Sequence, residues 1–131
     1  MLIKRSPYPM IEIGFYDDTG SYIMRKIPLI EFYQGDDVSI YIYVTKNDQE
    51  TPYDLSNSQL IFTLFKGSWK EVEDVISIKE AVLENPTEGL ALVNFSHDET
   101  LRFNIGSHRY LVRLNSDGKS VTIAEGIIEV K

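Results

Sequence analysis

The stretch from Tyr110 to the C-terminus constrains the fold more than any other. Tyr110, Val112 and Leu114 alternate with Leu111 and Arg113, residues 116–119 make a tight reversal, and residues 121–130 alternate back. This pattern is a β-hairpin, because Asp117 and Gly118 accept the positive φ of a two-residue loop and the β-branched residues around them suit a pleated, half-buried surface. A terminal hairpin preceded by similar strands and no long helical period predicts a sandwich built for binding or assembly rather than an enzyme.

Further strands are predicted at 27–33, 38–45, 59–66, 72–79 and 90–95, followed by the hairpin strands at 107–115 and 120–130. Gly, Asn, Asp and Pro punctuate them at residues 34–36, 47–54, 67–68, 85–89 and 116–119. Short strands at this spacing predict an all-β, two-sheet antiparallel sandwich of the immunoglobulin-like kind. Residues 78–83 and 98–103 have the composition of short helical turns, the second capped by Ser96 or Asp98. Alternation assigns the core: Val38, Ile40, Ile42 and Val44; Leu60, Phe62 and Leu64; Ala91, Val93 and Phe95; Tyr110, Val112 and Leu114; Ile128 and Val130. Ile61 and Phe65 point away from that core, so the outer side of their strand expects cover as well.

The first residues read differently. A Pro-containing arm, Ser6 to Pro9, leads into Ile11, Ile13 and Phe15, an acidic turn at 17–20, and a return strand from Tyr22. We therefore divide the chain into an arm and extra N-terminal β-hairpin at 1–26 and a sandwich domain at 27–131. An isolated hairpin is marginal in water and must pack on the main body or on another subunit.

Composition narrows the function. The 131 residues, 43% hydrophobic and 25% charged, suit one globular domain with an adequate core. A net charge of −7 without a basic cluster opposes the phosphate backbone, so no nucleic-acid partner is expected. The apolar runs are strand-length, and Pro7 and Pro9 stand where the apolar part of a signal peptide would lie, so neither a membrane span nor a signal peptide is expected. With no cysteine, stability must come from packing alone.

The residues from 32 onward fall into a recognisable order. Phe32-Tyr33-Gln34-Gly35-Asp36 leads into a strand; Pro52-Tyr53-Asp54-Leu55 closes a loop before Ser56, Asn57, Ser58 and an apolar strand; a polar segment holds Asp98, Glu99, Thr100 and Leu101; and Gly106, Tyr110, Val112 and Leu114 precede the Asp117-Gly118 hairpin. This order resembles the immunoglobulin-like N-terminal domain of phage baseplate upper proteins and related phage tail modules, over about residues 30–131. Asn57 and Ser58 stand where that family often has Gly and Ala, and Gly106 lies further from Tyr110 than is usual there. The resemblance implies a virion structural protein of tail or baseplate, made in the host cytoplasm, that assembles with other virion or tail proteins and as a homo-oligomer. The competing class is a carbohydrate-binding or adhesion module directed at a host surface glycan.

Chemistry-bearing side chains are few. Ser96, His97 and Asp98 are chain neighbours in a turn and cannot converge as a triad, so no catalytic residue is assigned. His97 and His108 lack a ligand spacing around them, and the paired acids Asp17-Asp18 and Asp36-Asp37 match no calcium loop, so no metal or cofactor is assigned either. The candidate interface residues are aromatic. Tyr41 and Tyr43 lie opposite the aliphatic face of their strand, where Tyr22, Tyr33 and Tyr53 are placed to approach them. These rings serve as cover for the N-terminal hairpin, as anchors of a protein interface, or as stacking platforms for sugar. Trp69, on a turn, is either tucked over a sheet edge or an exposed contact anchor. The acidic residues from Glu71 to Glu84 form a solvated face or complement a basic partner.

Overall fold

The computed structural model describes residues 9–16, 21–26, 30–46, 48, 50–67 and 75–131. Ten strands form two five-stranded sheets. They are β1 Met10–Tyr16, β2 Ser21–Lys26, β3 Ile30–Phe32, β4 Val38–Thr45, β5 Ser58–Phe65, β6 Val75–Glu80, β7 Val82–Asn85, β8 Leu90–Phe95, β9 Gly106–Ser116 and β10 Lys119–Val130. The first sheet runs β2-β1-β4-β8-β7 and the second β3-β10-β9-β5-β6. The molecule is thus an all-β, immunoglobulin-like sandwich carrying an additional N-terminal hairpin.

Both sheets are mixed. Most neighbours are antiparallel, but β1 runs parallel to β4 and β3 runs parallel to β10. Strand alternation has the same period in either direction, so the pattern that predicts these strands carries no information on their sense. The expected strand at 72–79 is β6, beginning at Val75. Residues 78–83, read as a possible helical turn, instead carry the chain from β6 to β7, with Ala81 buried at the crossing between the sheets.

The inner faces form one apolar core. Ile40, Ile42 and Val44 of β4 meet Leu60, Phe62 and Leu64 of β5 and Val112 of β9, all fully buried. Ile11 and Ile13 of β1 are buried in the same cluster, so the N-terminal hairpin extends the first sheet and its hydrophobic layer together. Phe62 ties the layers: its ring stacks on Tyr110 at 5.2 Å within its own sheet and meets Phe95 of the opposite sheet edge-on at 5.8 Å. Each such side chain removed from water stabilises by roughly 1.5–3 kcal/mol.

One strand departs from simple alternation. In β10 the register against β9 slips between Thr122 and Ala124, and the consecutive residues Ile123 and Ala124 are both fully buried. An extra residue in the strand returns the following side chains to the core, which is the effect of a β-bulge. Beyond it, Gly126 lies opposite Tyr110, and a Cβ there would sit 2.6–2.7 Å from the tyrosine ring and hydroxyl. The glycine makes room for the ring.

Between β8 and β9 a short helix, α1 His97–Leu101, closes one end of the sandwich. Ser96 caps it reciprocally: Glu99 N–H donates to Ser96 Oγ at 3.3 Å, and Ser96 N–H donates to Glu99 Oε1 at 2.9 Å. Glu99 also pairs with Lys79 of β6 at 2.5 Å, and its carboxyl is held below the usual range by that contact first and by the Ser96 N–H.

Candidate interaction surface

The outer face of the first sheet follows from the period of β4. Because Ile40 and Ile42 point inward, Tyr41 and Tyr43 point outward, each half-buried. The neighbouring strands then set two cross-sheet rows. Tyr41 lies between Met10 of β1 and Leu92 of β8, with Val82 of β7 beyond Leu92. Tyr43 lies between Glu12 and Leu90. Met10 is buried, Leu90 and Leu92 are half-buried, and Val82 is 54% exposed. At the end of the face Ser39 Oγ donates to Asn94 Oδ1 at 2.7 Å. Aromatic and aliphatic side chains thus share this face with Glu12, Ser39 and Asn94.

The other expected aromatic residues are distributed elsewhere. Tyr22 of β2 lies opposite Phe15 and packs against the core, with its phenol pushed up by burial and then by Glu125. Tyr53 is half-buried at the end of the sandwich, edge-on to Phe15 at 5.4 Å, and its N–H donates to Val44 O at 3.0 Å. Tyr33 follows β3 of the second sheet, 63% exposed, with its N–H donating to Asp36 Oδ2 at 3.0 Å. Trp69, Glu71, Glu73 and Asp74 lie outside the described residues, as do Asp17 and Asp18. The structure therefore brings Tyr41 and Tyr43 together and places Tyr22 and Tyr53 apart from them.

The outer face of the second sheet mixes arginines tied to their neighbours with exposed Val75, Ile78 and Ile127. Arg109 of β9 lays its guanidinium over Phe65 of β5 at 4.6 Å and faces Glu125 of β10 at 3.7 Å. That is the cover Phe65 requires. Arg113 donates to Ser120 Oγ at 3.1 Å and Thr122 Oγ1 at 3.3 Å.

The polar residues between the sheets serve the fold. His97 Nδ1 contacts Gly35 O at 2.5 Å and its backbone N–H donates to Asp37 Oδ1 at 2.8 Å, while Ser96 is committed to the helix cap. Buried His108 accepts from Gly67 N–H at 3.2 Å through Nδ1 and donates through Nε2 to Asn104 O at 2.6 Å, pinning two loops together. Among the described residues no group of three or more His, Asp or Glu side chains is placed to hold a metal ion, and no helix is long and apolar enough to cross a membrane.

Two hollows flank the tip of the β9–β10 hairpin, lined by residues read from the sequence as strand, core and turn positions and by the candidate interface residue Tyr53. One, of about 310 Å³, has Phe15, Tyr53, Leu114 and Val121 in its walls; the other, of about 520 Å³, is lined by Asn57, Gln59, Asn115 and Ser120. Asn57 and Gln59 are far from Asn115 in sequence, and only the antiparallel pairing of β5 with β9 juxtaposes them.

No protein-family model matches this chain, and no curated protein sequence does. Solved structures do. The N-terminal domain of phage TP901-1 ORF48 superposes with a TM-score of 0.57 at 14% identity, covering 94% of this chain and 98% of that one. An uncharacterized protein from Bacillus anthracis str. Ames gives a TM-score of 0.43 at 10% identity, over 90% of this chain and 85% of that one. A multicopper oxidase gives 0.42 at 10% identity, over 96% of this chain and 45% of the oxidase. At 14% identity the likeness to the phage domain is one of fold, shared across nearly its whole length.

Proposed function

We propose that this chain is a non-enzymatic structural module of a phage virion, of tail or baseplate, that docks other virion proteins through the outer face of its first sheet. The observation that carries the reading is the pair Tyr41 and Tyr43, set among Met10, Glu12, Leu90 and Leu92 with exposed Val82 at the border. Rigid rings on a flat sheet bury area against a partner at little entropic cost, and interface energy concentrates in such residues. The fold shared with a phage domain supports the virion assignment. Residues 1–26 act as an accessory segment whose hairpin widens the docking sheet, and residues 27–131 form the wedge that holds the face rigid.

Tail proteins purified from a phage that encodes this chain provide the test. Mixed with the isolated chain, they are expected to yield a defined complex by cross-linking and light scattering, weakened roughly tenfold or more by Tyr41→Ser combined with Tyr43→Ser. A chain that joins none of them, or a complex indifferent to both substitutions, overturns the reading. Removal of residues 1–26 is a poor test, since it strips Ile11 and Ile13 from the core.

A further inference from the structure

The hairpin tip carries a second, chemically different surface on the side of the molecule away from Tyr41 and Tyr43. Gln59, Asn115 and Ser120 stand in one row across β5, β9 and β10, facing outward because Leu60 and Leu114 next to them face the core. Asn57 and the reversal at Asp117 close the end of this row, giving the hollow of about 520 Å³. Asp117 and Gly118 hold positive φ of 50° and 75°, so the tip is a fixed tight turn. Asn115 Oδ1 is buried at this row with no hydrogen-bond partner among the described residues. That oxygen is closed off from solvent, so the row offers a ligand the exposed side chains of Asn57, Gln59 and Ser120 instead.

The lining selects the ligand class. Its side chains are amides and hydroxyls, and its two charges, Asp117 and Lys119, are of opposite sign. A phosphate or a metal ion meets no net formal charge in this lining. Directly across the tip, Ser116, Asp117 and Lys119 also form the rim of the hollow of about 310 Å³, whose walls include the edge-on pair Phe15 and Tyr53. A ligand that straddles the turn therefore meets hydrogen-bonding groups on one side and aromatic and aliphatic walls on the other. Pyranose rings have that division, with equatorial hydroxyls around an apolar C–H face. Both volumes fall within the ~300–1,000 Å³ of small-molecule sites.

We propose that the β9–β10 hairpin tip is a saccharide-binding site, with Asn57, Gln59 and Ser120 reading hydroxyls and the Phe15–Tyr53 hollow receiving a ring face. Its lining includes neither Tyr41 nor Tyr43, so it stands or falls independently of docking through them.

The test is an NMR titration of the isotope-labelled chain with maltotriose, a chitin trisaccharide and a galactose-based trisaccharide, with inorganic phosphate and calcium chloride as controls. Saturable shifts of the Asn57 and Gln59 side-chain amides with at least one trisaccharide, together with shifts of the Tyr53 ring, are expected. Asn57→Ala and Gln59→Ala, both at partly or fully exposed polar positions that leave the core intact, are expected to weaken binding roughly tenfold in combination, as loss of two neutral hydrogen bonds does. The proposal is overturned if none of the three sugars moves these amides, if phosphate or calcium moves them equally, or if binding persists unchanged in the double variant.

Discussion

The two outer faces of this sandwich are built by the same alternation over the same aliphatic layer, yet they differ in what they leave for neighbours. On the first sheet Tyr41 and Tyr43 sit among Leu90, Leu92 and Met10. On the second, Arg109 is spent on Phe65 and Glu125, and Arg113 on Ser120 and Thr122. Inner faces decide that the chain folds as two layers; outer faces decide what the layers do. The second sheet mixes arginines bonded within the sheet with exposed Val75, Ile78 and Ile127, whereas the first sets its tyrosine rings among aliphatic side chains and Glu12.

The inner layer is common property, so breaking it should erase the contrast. Phe62→Ala removes a fully buried ring that stacks on Tyr110 and meets Phe95 across the sheets. We expect a loss of about 3–5 kcal/mol in denaturant unfolding. A loss below about 1 kcal/mol would mean that Phe62 does not join the sheets as described.

That inner layer is also the part most legible in the sequence. Val38 to Val44 reads inward and outward residue by residue, while Thr45, expected outward, is fully buried, and the core expected from β4, β5, β8 and β9 is the one found. The Ser96 cap is legible too, because Glu99 stands three residues on and completes a local motif. Pairing sense is not, since parallel and antiparallel neighbours share one period. The bulge at Thr122 is hidden because an inserted residue looks like continued alternation until a partner strand supplies the register. Among the candidate tyrosines, parity sends Tyr41 and Tyr43 outward, but it does not reveal that Tyr22 faces Phe15 and the core. The amide row is invisible for the same reason: Gln59 and Asn115 meet only through tertiary pairing.

On the second sheet's outer face, Arg109→Ala should cost about 2 kcal/mol of stability, because it removes a stacked guanidinium and the packing of its stem over Phe65. It should leave docking to tail proteins unchanged. A variant as stable as the parent chain, or one that docks poorly while fully folded, would dissolve the distinction between the arginine-bearing face and the tyrosine-bearing one.

The tyrosines predict the opposite signature. Tyr41→Ser and Tyr43→Ser each give up a half-buried ring, so each should lower stability by about 1 kcal/mol. Their effect on partner binding should far exceed that loss. The comparison of thermal midpoint with complex yield for both tyrosine variants and Arg109→Ala separates the faces; parallel losses in stability and binding across all of them would merge the faces into one.

Acid should act on neither face first. Asp48 accepts from Thr51 Oγ1 and from the Thr51 and Glu50 N–H groups, which hold its carboxyl down from 3.8 to about 2. Asp54 is lowered by Ser56 through its hydroxyl and its N–H, and Glu99 by Lys79 and the Ser96 N–H. Each has a folded pKa below its unfolded value, so its contribution is complete above the ordinary carboxylate range and is lost as pH falls through that range toward about 2. Because these groups are exposed and screened, the whole effect should be smaller than that of any substitution above. Their positions give it a location: Asp48 and Asp54 flank the 47–54 loop and Glu99 belongs to the capped helix, whereas Tyr41, Tyr43 and Arg109 lie within strands. Amide hydrogen exchange on lowering the pH from 7 to 3 should therefore quicken around residues 48–58 and 96–102 while β4 and β9 stay protected. Exchange that quickened first in β4 or β9 would show that the faces, and not the ends, hold the acid-sensitive contacts.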